Sequence, residues 1–114
     1  MPEPIGNLFA VDACKVGGRY VIYVPIIGHR TIAGSYALEG PKLTRRGDWF
    51  YLTTAVGGTS GPPTGHLVTV ARSHSVHGPW VDGPANPSIR TWDAKEPWWS
   101  RGHATLFEGP KGQW

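Results

Sequence analysis

Sixteen glycines and eleven prolines punctuate a chain of 114 residues. A glycine inside a helix costs about 1 kcal/mol relative to alanine and a proline about 3, so the sequence leaves little room for a long helix. The stretches between have a different character. Tyr20-Val21-Ile22-Tyr23-Val24, Trp49-Phe50-Tyr51-Leu52-Thr53-Thr54 and Leu67-Val68-Thr69-Val70-Ala71 are runs of β-branched and aromatic side chains, which suit a pleated, half-buried surface. Short strands with Gly/Pro turns between them specify an all-β antiparallel fold. Hairpins are expected at about 13–24 and 42–54, a strand at about 66–72, and mostly irregular backbone over 82–100.

A faint repeat runs through this pattern. An apolar-containing strand, a polar turn and a Gly-X-aromatic step occur at 13–20, 43–49 and 106–114. Each reads as a hairpin whose second strand opens on an aromatic. The Gly-X-aromatic steps fall 29 and 65 residues apart. A propeller blade, a four-stranded meander, takes about 40–50 residues. The longer spacing fits one blade with an insertion and the shorter is too small for a complete one; hairpins in a sandwich would give the same repeat. The sequence ends at Trp114, where the second strand of the third hairpin would begin. A hairpin cut there leaves an unpaired edge. The expectation is therefore a truncated piece of a larger protein, marginally stable or aggregation-prone by itself.

Charge narrows the partners. The net charge is +3, but the basic residues are spread along the chain. The one cluster, Lys42, Arg45 and Arg46, is broken by Asp48. A nucleic-acid footprint needs a patch or stripe, so no nucleic-acid partner is expected. No run of 18 apolar residues exists, so no transmembrane helix and no membrane partner are expected. The N-terminus lacks the basic and apolar regions of a secretory signal. The single Cys14 excludes an intramolecular disulfide and a Cys-based zinc site. Compartment and oligomeric state stay open.

Among the eight carboxylates, Asp48 and Glu108 fall in expected hairpin turns and Asp82 in a Gly/Pro loop, where solvation is the ordinary role. Glu39 differs. Leu38 precedes it and Gly40-Pro41 fixes the backbone just before a strand, a placement that suits a general acid held against a leaving-group oxygen. The tetrapeptide Glu-Gly-Pro-Lys recurs at 108–111 inside a turn, so its context and not its composition is informative. Among the five histidines, His74 and His77 read as exposed loop residues, and no spacing makes a transition-metal site. His103, in Arg101-Gly102-His103-Ala104-Thr105, reads on its own as a partly buried histidine before a strand. No nucleophile elbow is present. The glycine-rich stretch 57–65 joins two strands and opens no helix, so it is not a phosphate loop. Trp92, Trp98 and Trp99 crowd one Pro-containing loop. They suit either stacking on sugar rings or packing under the loop.

Taken in order, these motifs resemble glycoside hydrolase family 43. The resembling stretch is 38–114, with 1–37 poorly matched. It runs through Leu38-Glu39-Gly40-Pro41-Lys42-Leu43, Trp49-Phe50-Tyr51-Leu52, Gly57-Gly58-Thr59, Gly65-His66-Leu67-Val68-Thr69-Val70-Ala71-Arg72-Ser73 and Gly78-Pro79-Trp80. It ends with Asn86-Pro87, Trp98-Trp99-Ser100-Arg101-Gly102-His103 and Gly112-Gln113-Trp114. The resemblance is to β-xylosidase and α-L-arabinofuranosidase members that trim xylan and arabinan. It implies a five-bladed β-propeller, here incomplete, and an inverting hydrolysis without a cofactor in the chemistry. It implies Glu39 as general acid; His66, Trp98, Trp99 and Arg101 against an oligosaccharide or polysaccharide substrate; and His103 at a central structural calcium or water site. The family's base and its pKa-tuning Asp lie in Asp-Pro contexts, and this chain has no Asp-Pro. Phe9-Ala10-Val11-Asp12 resembles the family's second-blade entrance, which makes Asp12 the second catalytic candidate. Only 27 residues separate it from Glu39, too few for the intervening blade, so either 27–37 marks a deletion or join or the N-terminal third belongs elsewhere. With one carboxyl of the pair unidentified, the chain is expected to be inactive alone. The alternatives are a non-catalytic carbohydrate-binding β module, or a structural β domain whose tryptophans are core.

Overall fold

The computed structural model describes residues 12–23 and 38–114. Among them every regular element is a strand, as the Gly and Pro content demands, and no helix is long and apolar enough to cross a membrane. β1 (Asp12–Val16) and β2 (Arg19–Tyr23) form one hairpin. β3 (Leu38–Arg46), β4 (Trp49–Val56), β5 (Leu67–Ser73) and β6 (Val81–Asp82) form a four-stranded sheet in sequential order, antiparallel throughout. The region expected to be irregular keeps only the end of β6 and one isolated bridge, Val68 to Ile89. The 27–37 segment, expected to mark a deletion or join, lies outside the described residues.

Glycine makes both tight turns. Gly17 and Gly18 have φ of 55° and 80° between the paired Val16 and Arg19. Two positive φ values in succession are what a type I′ hairpin turn needs. Gly47, at φ 59°, starts the two-residue turn that pairs Arg46 with Trp49. The third expected hairpin, over 106–114, is only a turn: Gly109 N–H donates to the Gln113 carbonyl at 2.7 Å and Gly112 N–H to that of Gly109 at 3.0 Å.

The core lies toward one end of the sheet. Ala55, Val56, Leu67 and Val68 are its buried apolar residues. Val56 pairs with Leu67 on one side and with Leu38 on the other, and Ala55 pairs with Glu39. The start of β3 therefore sits where water is best excluded.

Both outer edges of the sheet are partly covered. β6 pairs with only two residues of β5. Beyond it, the Asn86 amide stands in for a strand, accepting from Val70 N–H and donating to the Val70 carbonyl, each at 2.9 Å. Gly83 N–H and Ser88 N–H add bonds to the carbonyls of Val70 and Val68. Such cover blunts an aggregation-prone edge. At the other edge, Leu43 N–H donates to Asp12 Oδ2 at 3.0 Å, and Lys42 Nζ pairs with Asp12 Oδ1 at 3.4 Å. Asp12 thus fastens the first hairpin to β3. Asp12→Ala removes both contacts and should cost about 1 kcal/mol. Hydrogen exchange at the Leu43 amide should speed up about tenfold if that bond is what protects it. Unchanged exchange would show that the bond protects nothing.

Candidate active site

Glu39 is set by a bulge. Between the Glu39–Ala55 and Lys42–Thr53 pairs, Gly40 and Pro41 together face one residue of β4. A bulge of this kind bends the strand and re-aims a side chain. Gly40 takes φ 55°, which a residue with a Cβ enters only at a cost. The Glu-Gly-Pro order is thus the local chemistry of the bulge.

Two imidazoles meet the same carboxylate oxygen. His66 Nε2 lies 3.3 Å from Glu39 Oε1, and His103 Nε2 lies 3.7 Å from it. The two rings are 6.0 Å apart, centroid to centroid, and inclined at 61°. Among the described residues, neither contact involves Oε2. The Glu39 side chain is 22% exposed, His66 only 3% and His103 45%. Both ring nitrogens of His66 are buried without an aligned hydrogen bond.

Two glycines let these rings approach. A Cβ on Gly40 would lie 2.7–2.9 Å from the His103 ring, and one on Gly102 would lie 2.1–2.3 Å from the His66 ring. Ser100 and His103, either side of Gly102, have left-handed φ of 50° and 56°. That conformation is uncommon outside glycine, and it turns the chain sharply over His66. Ser100 N–H donates to the Pro63 carbonyl at 2.8 Å, pinning this segment to the β4–β5 connection. The strand expected after His103 does not form; the Ala104 carbonyl instead accepts from Thr53 Oγ1 at 3.3 Å.

The tryptophan loop is built on polar groups. Thr91, fully buried, donates from Oγ1 to the Trp98 carbonyl at 2.7 Å and accepts from Arg101 Nε at 3.3 Å. Glu96 Oε1 accepts from the Trp92 and Asp93 amides at 2.7 and 3.1 Å, while its Oε2 pairs with Arg101. Trp99 Nε1 donates to the Ala94 carbonyl at 3.0 Å. The indoles themselves face outward: Trp92 and Trp98 are 70% exposed and Trp99 63%. Packing beneath the loop is therefore not their role in this chain.

The structure brings together Glu39, His66 and His103. It places Trp98 and Trp99 on the exposed loop, with Arg101 bracing that loop from within. Asp12 is engaged at Lys42 and Leu43, further along β3. Cys14 is held as a thiol, its pKa raised by burial and then by the Asp12 carboxylate. Sequence reading missed Thr91, Glu96 and Gly102; the signal for Glu96 was an Asp-x-x-Glu step, which reads as a capping pattern. Calcium takes about six to eight oxygen ligands. Among the described residues no group of three or more His, Cys, Asp or Glu side chains could hold a metal, and His103 has a single carboxylate beside it. These residues do not fit a calcium ion held by the protein alone.

Known sequences resemble this chain. The model of glycosyl hydrolases family 43 matches residues 26–114. A xylan 1,3-beta-xylosidase of Vibrio sp. is 40% identical over 77 residues, 67% of this chain and 14% of that protein. A beta-xylosidase of Bacillus subtilis is 36% identical over the same length, again 67% of this chain and 14% of the relative. A non-reducing end alpha-L-arabinofuranosidase of Bacteroides ovatus is 33% identical over 82 residues, covering 71% of this chain and 15% of its own. The chain thus spans about one seventh of the length of these curated relatives. Glu39, both site histidines and the tryptophan loop all fall inside the matched residues, and the chain belongs to glycosyl hydrolases family 43.

Proposed function

We propose that this chain is a segment of an inverting glycoside hydrolase that cleaves pentose-containing plant polysaccharides (xylan, arabinoxylan or arabinan), and that Glu39 is its general acid. The observation that carries the reading is the carboxyl at the β3 bulge, with one oxygen facing two imidazoles and the other uncommitted among the described residues. A group so held can carry a proton to a leaving oxygen. The activities named for the relatives supply the sugar class. The four-stranded meander supports one blade of an incomplete five-bladed propeller. On its face an apolar groove of about 290 Å³, lined by Tyr51, Val68, Val70, Ile89 and Leu106 among others, offers a surface for a neighbouring blade.

His66, Trp98, Trp99 and Arg101 belong to the substrate side of this proposal. The indoles stack on sugar faces, and Arg101 keeps them in place. Inversion needs a second carboxyl about 6.5–9.5 Å across the sugar. Asp12 remains the candidate within this chain, and its ties to Lys42 and Leu43 give it a structural role as well. A calcium ion at His103 would depend on water and on residues beyond those described. Proton transfer itself calls for no cofactor, and neither nucleic acid nor membrane enters the proposal.

The test is an exchange. The matched stretch of the Vibrio xylosidase is replaced by that of this chain, and xyloside hydrolysis is followed by NMR. The folded chimera should turn over and release the inverted anomer first, while the 114-residue chain alone should not turn over. A folded, inactive chimera, or retention of configuration, would sink the proposal. The outward-facing tryptophans favour a second reading, a non-catalytic carbohydrate-binding module. In that case the chain alone would bind xylan, and equally well as Glu39→Gln.

A further inference from the structure

We infer that His66 is a positioning residue for Glu39: its Nε2–H holds Oε1, which leaves the transferable proton on Oε2. The inference rests on the reading of Glu39 as the acid. A carboxylic acid can carry its proton on either oxygen, and only the one facing the leaving group is useful. Here the two imidazoles approach the same oxygen, Oε1. They are not equivalent. His103 is nearly half exposed, so its ring can turn away. His66 is buried, and Gly102 lies so close over its ring that a Cβ there would come 2.1 Å from Nε2. The His66 ring is therefore the fixed one.

The tautomer follows from the unsatisfied atoms. Neither ring nitrogen of His66 makes an aligned hydrogen bond, but Nε2 is the one that lies beside Glu39 Oε1. A neutral imidazole carries one N–H and one bare nitrogen. With the proton on Nε2, the donor lies 3.3 Å from a carboxyl oxygen with which it can align, and only an acceptor is then left unmet. With the proton on Nδ1, a buried donor is orphaned and a lone pair faces a carboxylate, the costlier arrangement. The 3.3 Å contact is not aligned as a hydrogen bond here, and poorly aligned contacts in substrate-free sites commonly tighten once substrate binds. In the reaction the Oε2–H bond breaks as an O–H bond forms on the leaving oxygen. The anomeric C–O bond breaks as a water oxygen bonds to the anomeric carbon from the opposite face and gives its proton to the second carboxylate; the leaving sugar departs as an alcohol, and Glu39 is left as a carboxylate. His66 gives up no proton; its N–H meets the new charge at Oε1.

The experiment uses the chimera with three substitutions, Glu39→Gln, His66→Phe and His66→Asn. Each is assayed on xylobiose and on 2,4-dinitrophenyl β-xyloside. The dinitrophenolate leaves without a proton, so its hydrolysis also reports that the site is folded. His66→Phe should lower kcat on xylobiose by about 100-fold, the low end for general-acid catalysis, and change the dinitrophenyl substrate by less than about threefold. His66→Asn, which keeps an N–H donor, should recover most of the loss. Equal losses on both substrates would mean that His66 only supports the fold, and no loss on xylobiose would mean that it does nothing for the acid; either overturns the inference. If Glu39→Gln shows the leaving-group dependence and His66→Phe does not, the inference alone fails. If Glu39→Gln shows none, the acid assignment fails and this inference with it.

Discussion

Glu39→Gln in the chimeric enzyme is expected to lower kcat on natural pentosides by about 1000-fold, within the range for removing a general acid, and to leave cleavage of dinitrophenyl pentosides nearly intact. The amide is close in size to the acid and should keep its place at the bulge, but it has no proton to deliver. Glu108→Gln is the control. It stands in the other Glu-Gly-Pro-Lys copy, and Glu108 is an exposed residue leading into the 109–113 turn. Its change should move neither activity by more than about twofold, as for other surface substitutions. Parallel rates on good and poor leaving groups for Glu39→Gln, or a dead Glu108→Gln, would place the acid elsewhere.

Gly102→Ala is expected to be the most destabilising small change in the chain. The added methyl would sit 2.1–2.3 Å from three atoms of the His66 ring, and that ring is buried. Overpacking of this sort costs about 2–3 kcal/mol, roughly 10–20 °C in Tm for a domain of this size. Gly40→Ala looks similar on paper and should be milder. Its methyl meets His103 at 2.7–2.9 Å, but His103 is half exposed and can swing away. What remains is mainly the left-handed backbone, worth about 1–2 kcal/mol. Melting curves of the two variants side by side decide it, and a reversed order would mean that the His66 ring is not held as tightly as its burial indicates.

The strands were legible because their signal is local. A run such as Trp49-Phe50-Tyr51-Leu52 and a two-residue turn such as Gly47-Asp48 each carry their own preference. At 106–114 the turn chemistry was right, and no strand pairing flanks the turn among the described residues. Glu39 was legible through Gly40-Pro41, since a bulge has residue requirements that a sequence displays. Its partners were harder. His66 and His103 reach Glu39 from 27 and 64 residues away in the chain, and no spacing rule announces such a meeting; the family resemblance suggested both without saying that they share one oxygen. The tryptophans could be read two ways because stacking and packing use the same side chain. Their exposure sets aside packing beneath the loop in this chain, and the Thr91–Glu96–Arg101 network that braces the loop consists of residues that look like ordinary polar loop residues until their partners are known.

The bulge also sets a limit on redesign. Deleting Gly40 or Pro41 would restore an unbroken ladder between β3 and β4 and, by the usual criteria of sheet regularity, improve the strand. The same deletion would leave Glu39 opposite Ala55 on its present face, but it would remove the bend that re-aims the carboxyl toward His66 and His103. Regularity and chemistry are therefore opposed at one residue. A family member engineered for heat resistance can be smoothed almost anywhere along these strands, but at this step the irregular form is the working one.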